Sequence, residues 1–548
     1  ITAYARHTFV LSEGATTVTA AVYAADGFVA HVNGVEVHRE AMPEASRHED
    51  EAEDKGGVEV TLPEPGSTLA ASASEARWVE FTVPAGVFLR GTNVVAVEVH
   101  RAAPETPPQG APFDCVLTVL DGDGRPLEAV VGLATAPSVV RGPYLTALSS
   151  HSVLVRWRTA TATTSRVFYG VDSTGEFSAD SETGDAVTDH AVQLEGLLAH
   201  TVYTYAVGTA ESSEAFLSSS RMTFETFPAA GWPHSTRILL LGDAGSGYTE
   251  QVTVRDAFRE YTALQPPQFV ALLGDNAYNS ATDTELQNKL FSVYEDDLLH
   301  LPVVAVFGNH DAYGSNAVTS RGPFFDAFQQ FSNGWGGGAA TDSDSFFSFD
   351  CGTLHVVVLD TAEYEMPKQT SWLAADLAAA ADHSTFLVAM FHHPVYSDGS
   401  HVSDTENRLV RARNTFLPIL EAGGVDLVLS GHSHSYERTM LLDSHYGTST
   451  TLTDANVVDG GDGSPASDGA YVKPWGLVSN KGTVSISMGN GGKVDTGSNL
   501  RYAHPAVKKV VRQPGFTVLD LTPSAMDVRM VDSTGSVWDH FRIAKEAP

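Results

Sequence analysis

Phe269-Val-Ala-Leu-Leu-Gly-Asp-Asn-Ala-Tyr278 is an apolar run that stops at glycine and then presents a carboxylate, an amide and a phenol. The same grammar recurs upstream, where Arg237-Ile-Leu-Leu-Leu241 leads into Gly242-Asp243-Ala244-Gly245, and downstream, where Val303–Phe307 leads into Gly308-Asn309-His310-Asp311. Two later runs, Phe386–Phe391 and Val425–Leu429, lead into His392-His393-Pro394 and Gly431-His432-Ser433-His434. Unbroken apolar runs of this length predict buried strands, and Leu354–Leu359 is another. Between them, Thr249–Leu264 places Val254, Phe258, Tyr261 and Leu264 at helical spacing, and Leu286, Leu290 and Val293 mark a further helical segment. Strand alternating with helix predicts an α/β domain whose active residues sit just beyond the strand ends.

Donors at the ends of five strands point to one shared metal site. Each signal alone is weak, since a lone Gly-Asp is usually a turn and a lone His-x-His usually a surface or core pair. Glycine beside the donors permits tight turns that bring the backbone close to an ion. A phosphate-cradling P-loop is excluded by the missing Lys-Ser/Thr step. Ser332–Gly338 and Asp459–Gly463 read as loops, and Asp459 and Asp462 lack the spaced ligands of an EF-hand.

Outward from this core the pattern is all-β. Residues 137–228 read as a sandwich with Trp157 in the strand Val153–Trp157 and tyrosines alternating at Tyr203 and Tyr205, a fibronectin-like or immunoglobulin-like signature. Residues 1–134 read as a second sandwich of short alternating strands, with a hairpin at Phe28–Val32, Asn33-Gly34 and Val35–Val37. A charged loop, Glu44–Gly57, interrupts it. Neither segment carries a His or carboxylate cluster at ligand spacing, so the chemistry belongs after the linker Ala229–Ser235.

In chain order, D-x-G, G-D-x-x-Y, G-N-H-D, H-x-P and G-H-x-H resemble the signature of the calcineurin-like metallophosphoesterases, and the tyrosine variant resembles the purple acid phosphatases. The likeness spans residues 233–545, with further matches at Tyr436-Glu437-Arg438 and Met488-Gly489-Asn490-Gly491-Gly492, and it extends to the 137–228 sandwich. Residues 1–134 lie outside it and resemble galactose-binding-like accessory domains of secreted bacterial enzymes. The fold class expected is therefore two N-terminal all-β sandwiches followed by an α/β metallophosphoesterase domain, a β-sandwich core flanked by helices.

The resemblance implies that Asp243, Asp275, Tyr278, Asn309, His392, His432 and His434 hold two metals. Many metallophosphoesterases have histidine where this chain has Gly245, and Tyr278 replaces the missing donor. Phenolate is hard and anionic, which favours a trivalent ion. The expected cofactors are Fe(III) with Asp243, Tyr278 and His434, Asp275 bridging, and a second divalent metal (Zn, Mn or Fe) with Asn309, His392 and His432. A metal-activated hydroxide would attack phosphorus, as two-metal phosphoryl transfer requires. His310 is implied to contact phosphate and His401 to protonate the leaving group, while His393 falls on a variable position. Related plant enzymes orient the first of these histidines with an acidic residue two positions after the tyrosine. Ser280 stands there, and Asp311 or Asp283 is the candidate substitute.

With 67 acidic and 33 basic side chains the formal charge is -34, which repels nucleic-acid backbones and anionic membranes. No run approaches the roughly 20 apolar residues of a membrane span. Cys115 and Cys351 are too few for a disulfide framework, and sequence leaves open whether they pair. We expect a secreted or periplasmic acid phosphatase, its signal peptide absent from the mature chain, acting on small phosphorylated substrates as monoesters. Carbohydrate or cell-surface contact falls to residues 1–134. Diester, nucleotide or pyrophosphate hydrolysis would use the same site, with Glu363–Ser371 and Tyr396–Asn407 as the loops that select. The rival from another class is a secreted binding protein with an inactive enzyme domain.

Overall fold

The computed structural model describes residues 137–171, 173–362, 366–495 and 501–546, together with the backbone of eight strands between Thr2 and Val130. It divides into two compact units, Ile1–Ser138 and Val139–Pro548. The first contains two four-stranded antiparallel sheets. Phe28–Val32 and Val35–Glu40 pair antiparallel with Val32 opposite Val35, as the Asn-Gly signal predicts. The turn itself, the loop Glu44–Gly57 and the Cys115 side chain lie outside the described residues.

In the second unit the sequence boundary between 137–228 and 233–545 is not a boundary between compact bodies. Val139–Thr146, the first strand of the sandwich, joins the main sheet through a parallel pairing of Thr146 with Val303. The resulting ten-stranded sheet runs from Val187–Leu194, Val153–Thr163 and Val139–Thr146 through the parallel strands Val303–Ala305, Phe269–Leu272 and Thr236–Leu241. It continues antiparallel through Gly515–Thr522, Ala525–Asp532 and Val537–Lys545 and ends in Tyr471–Lys473, parallel to the last of these. Trp157 is 2% exposed and stacks on His190 with ring centroids 4.6 Å apart. Tyr203 Oη accepts the Leu198 N–H at 2.9 Å, the corner contact expected of an immunoglobulin-like sandwich. Tyr205 Oη donates to the Leu299 carbonyl at 2.7 Å, tying the sandwich to the segment that follows.

Opposite lies a seven-stranded sheet whose central strands, Leu354–Val358, Phe386–Met390, Leu427–Ser430 and Val484–Met488, are parallel. Ile238, Leu240, Phe269 and Ala271 share a buried cluster with Val356, Val388, Met390, Leu429 and Ile486. The alternate residues point the other way. Leu239, Leu241, Val270 and Leu272 pack with Val254 and Phe258 of the helix Thr249–Thr262. Val357, Leu387 and Ala389 pack with Leu373 and Leu377 of Met366–Ala380 and with Phe416 and Leu420 of Asn407–Ala422. Both faces of each central strand are thus dry, which is why the sequence shows unbroken apolar runs and no alternation.

Two expectations need correction. Leu264 is 96% exposed, because the helix ends at Thr262 before Pro266-Pro267, which cannot continue it. Most of Glu363–Ser371 is the first turn and a half of the helix Met366–Ala380 and not a loop, since its apolar positions Trp372, Leu373 and Leu377 need that helix to reach the sheet. Cys351 is a free, buried thiol 3.6 Å from Thr236 Oγ1.

Asp426, just before Leu427–Ser430, lies between two buried ammonium groups. Lys473 Nζ and Lys545 Nζ each stand 2.7 Å from its Oδ1, and all three side chains are at most 1% exposed. Three of the four remaining lysine protons meet the carbonyls of Val425, Gly482 and Gly476. Removing one partner of a buried ion pair strands the other, at a cost of about 3–5 kcal/mol. Asp426→Ala should therefore destabilise the chain by about that amount, measured by calorimetric or denaturant unfolding at neutral pH. An unchanged unfolding midpoint would show that the lysines do not need the carboxylate.

Candidate metal centre

The C-terminal ends of parallel strands from both sheets converge, and the loops there carry the donors. Three donor residues have left-handed backbones, Asp243 at φ 54°, Asp275 at φ 53° and His432 at φ 69°. Such conformations cost about 1–3 kcal/mol each and persist where surrounding bonds enforce them. Here the His432 N–H donates to Asp243 Oδ2 at 2.8 Å and the His310 N–H to Asp275 Oδ1 at 2.8 Å. Gly431 is required by space, because a Cβ there would lie 2.4 Å from Asp243 Oδ2 and 2.7 Å from the Leu273 carbonyl oxygen.

Gly245 has a more specific consequence. A Cβ at that position would meet the Asn276 carbonyl oxygen at 1.9 Å, so no histidine fits. The 276–278 backbone occupies the space instead, held by the Tyr278 N–H donating to the Gly245 carbonyl at 2.9 Å. That approach places Tyr278 Oη 2.8 Å from Asp243 Oδ1, 3.2 Å from Asp275 Oδ2 and 3.0 Å from His434 Nε2.

On the other side, His392 Nε2 lies 3.0 Å from Asn309 Oδ1 and 3.3 Å from Asp275 Oδ1. Its Nδ1 is held by the Leu273 carbonyl at 2.9 Å, and His434 Nδ1 by Asp495 Oδ2 at 3.0 Å, so both rings turn Nε2 inward. Six of the seven predicted ligands are thereby linked directly through their side chains. His432 joins through its ring, 5.0 Å from that of His392, while its Nε2 faces Glu406 Oε2 at 3.9 Å.

The electrostatics are those of a cation site. Among the described residues no lysine or arginine pairs with the buried Asp243 or Asp275, whose partners are histidines. Burial alone would raise Asp275, but His392 and His310 hold it well below the usual carboxylate range. Burial would lower His392, yet Asp275 and Asp243 drive it up to about 9, and Asp243 with Asp495 does the same for His434. The Tyr278 phenol is pushed far upward by burial and by the two carboxylates. These are the responses of a cluster dominated by negative charge that a cation would balance, and a set of carboxylate, phenol, amide and imidazole donors fits a pair of metal ions.

His310 lies beside the centre, Nε2 3.8 Å from Asp275 Oδ2 and ring 4.5 Å from that of Tyr278. Neither Asp311 nor Asp283 orients it. The Asn279 carbonyl does, accepting from Nδ1 at 2.5 Å. Asp311 is taken up by the Gly308 N–H and Asn276 Nδ2, and Asp283 by Arg141 and Arg158. His401 stacks on His432 with centroids 3.6 Å apart, and its Nδ1 lies 2.8 Å from Glu406 Oε2. His393 is buried next to both His392 and His432, with Nδ1 2.8 Å from Thr361 Oγ1. Asp495, Glu406 and the Asn279 carbonyl had no signal in the sequence beyond their eventual proximity. Asp459 and Asp462 each accept a backbone N–H of their own loop, at 2.8 Å in both cases, which bears out the loop reading.

Residues 236–436 match the family model of the calcineurin-like phosphoesterases, and residues 142–226 that of the purple acid phosphatase N-terminal domain. Purple acid phosphatase 18 of Arabidopsis thaliana is 25% identical over 368 residues, covering 66% of this chain and 69% of its own length. Purple acid phosphatase 15 of the same plant is 25% identical over 278 residues, covering 46% of this chain and 49% of its own, so the chain spans about half of that relative. A purple acid phosphatase structure from yellow lupin seeds is similar in fold, with TM-score 0.58 at 14% identity over 100% of this chain and 93% of that one.

Gly245→Ala should push the 276–278 segment outward and draw the Tyr278 hydroxyl away from Asp243. Loss of such support for a metal donor typically costs 10–100-fold in affinity. Metal retained after dialysis against a graded chelator should fall accordingly with the fold intact. Retention equal to the wild type would show that the close approach at Gly245 does not position Tyr278.

Proposed function

Because this chain is a purple acid phosphatase-like metallophosphoesterase, a metal-dependent phosphoric ester hydrolase, we propose that it hydrolyses phosphate monoesters, with Fe(III) at Asp243, Tyr278 and His434. Asn309, His392 and His432 would hold a divalent ion, Zn, Mn or Fe(II), with Asp275 shared between the two metals. The observation that carries this reading is the Tyr278 hydroxyl, within 3.2 Å of both buried carboxylates and of His434. Bound metals would supply an activated water and a positive clamp on the phosphoryl oxygens.

The remaining work falls to side chains of the rim. The His310 Nδ1–H donates to the Asn279 carbonyl, so Nε2 is the atom left to contact a phosphate oxygen. The same logic applies to His401. Its Nδ1–H donates to Glu406, leaving Nε2 to carry the proton that an alkoxide leaving group needs. Stacking on His432, a ligand in this reading, supports that role. The acidic composition and the accessory strands of residues 1–134 support export from a bacterial cell as part of this proposal, and fractionation that placed the mature chain in the cytoplasm would remove it.

Two measurements test the reading. The purified protein should hold one iron and one further metal in this centre and absorb in the visible, and Tyr278→Phe should abolish that band. A colourless native protein with zinc in both positions would overturn the iron assignment. For the proton donor, His401→Ala should slow alkyl phosphates by about 10²–10⁴-fold, the range of general acid catalysis, and an activated aryl phosphate much less. Equal losses on both substrates would restrict His401 to binding phosphate or supporting its loop.

A further inference from the structure

A second cluster of metal-ligating side chains lies at the edge strand of the seven-stranded sheet. The hairpin of Phe347–Cys351 and Leu354–Val358 sets Asp350 directly opposite His355. His355 is 2% exposed, with Nδ1 2.7 Å from Asp350 Oδ1 and Nε2 2.9 Å from Asp376 Oδ2. His383, just after the helix Met366–Ala380, brings Nε2 to 3.2 Å from Asp350 Oδ2. That contact lacks the alignment of a hydrogen bond, and the buried nitrogen has no hydrogen-bond partner among the described residues. One donor atom from each of Asp350, His355 and His383 lies within 4.8 Å of the other two.

We propose that Asp350, His355 and His383 form a binding site for a divalent transition metal, best matched by zinc, separate from the phosphoesterase centre. Charge counting supports it. With both ring nitrogens of His355 facing carboxylates, the ring must carry two protons, and one cation then stands against Asp350 and Asp376. A divalent ion in place of the Nδ1 proton neutralises both carboxylates and gives His383 Nε2 a partner.

Asp376 then takes the role of the outer carboxylate that fixes a ligating imidazole through its other N–H. Its second oxygen is already anchored, accepting from Ser348 Oγ at 2.7 Å and the Ala339 N–H at 2.9 Å. Two imidazoles and a carboxylate are a donor set that zinc favours, with water completing the shell. Two of the donors sit on paired strands, so the site is largely formed before the ion arrives. His383, its side chain 30% exposed, offers the way in.

The test is metal content of the full chain equilibrated with zinc at pH 7.5 and freed of excess. Wild type should hold one equivalent more than His383→Ala, with hydrolysis of a phosphate ester unchanged in the variant. His355→Gln should lose the same equivalent. Because binding displaces a proton, that equivalent should be released as the pH falls, and zinc should raise the thermal midpoint of wild type more than that of His383→Ala. Equal zinc content in wild type and His383→Ala would overturn the site. Failure of the phosphoesterase centre would lower both proteins alike and leave the difference of one equivalent intact.

Discussion

Two carboxylates buried together need a cation, and much of the fold serves that requirement. Asp243 and Asp275 come from neighbouring parallel strands of one sheet, and of the imidazoles that balance them His392 and His434 come from the sheet opposite. Neither half is electrostatically complete alone. The sandwich of two sheets therefore places matched partial sites face to face, and the left-handed turns at Asp243 and His432 are tied by a bond that runs between them, the His432 N–H to Asp243.

Gly245 shows how a missing side chain changes the chemistry of such a site. Its absent Cβ admits the Asn276 carbonyl, the backbone closes in, and a phenol arrives where an imidazole would otherwise stand. An anionic oxygen donor in place of a neutral nitrogen raises the charge that the ions must balance. One backbone approach thus sets which donor atom faces Asp243, Asp275 and His434.

Much of this was legible in the sequence because the strands are dry on both faces and the donors follow them at once. The strand series alone did not disclose distribution: the resemblance implied a sandwich core, but which of the five donor-bearing strands belongs to which sheet is visible only in the structure. The 137–228 sandwich read as a separate body, although Val139–Thr146 is stitched into the main sheet. The outer partners of the histidines were hidden for another reason. Leu273 and Asn279 act through carbonyls, which every residue possesses, and Asp495 reaches His434 across 61 positions of chain. Leu264 misled because helical spacing ran on past the point where two prolines stop the helix.

The pairing of Thr146 with Val303 gives the sandwich a duty beyond support. Val303–Ala305 would otherwise be the outermost rung of the phosphoesterase sheet on that side, with unsatisfied amides and carbonyls along a buried apolar strand. Such rungs recruit strands from other molecules. By supplying the next strand from its own chain, the protein fills the place that a foreign strand would take. The enzyme domain thus carries its own protection against polymerisation, and a fragment starting at Pro233 would lose it.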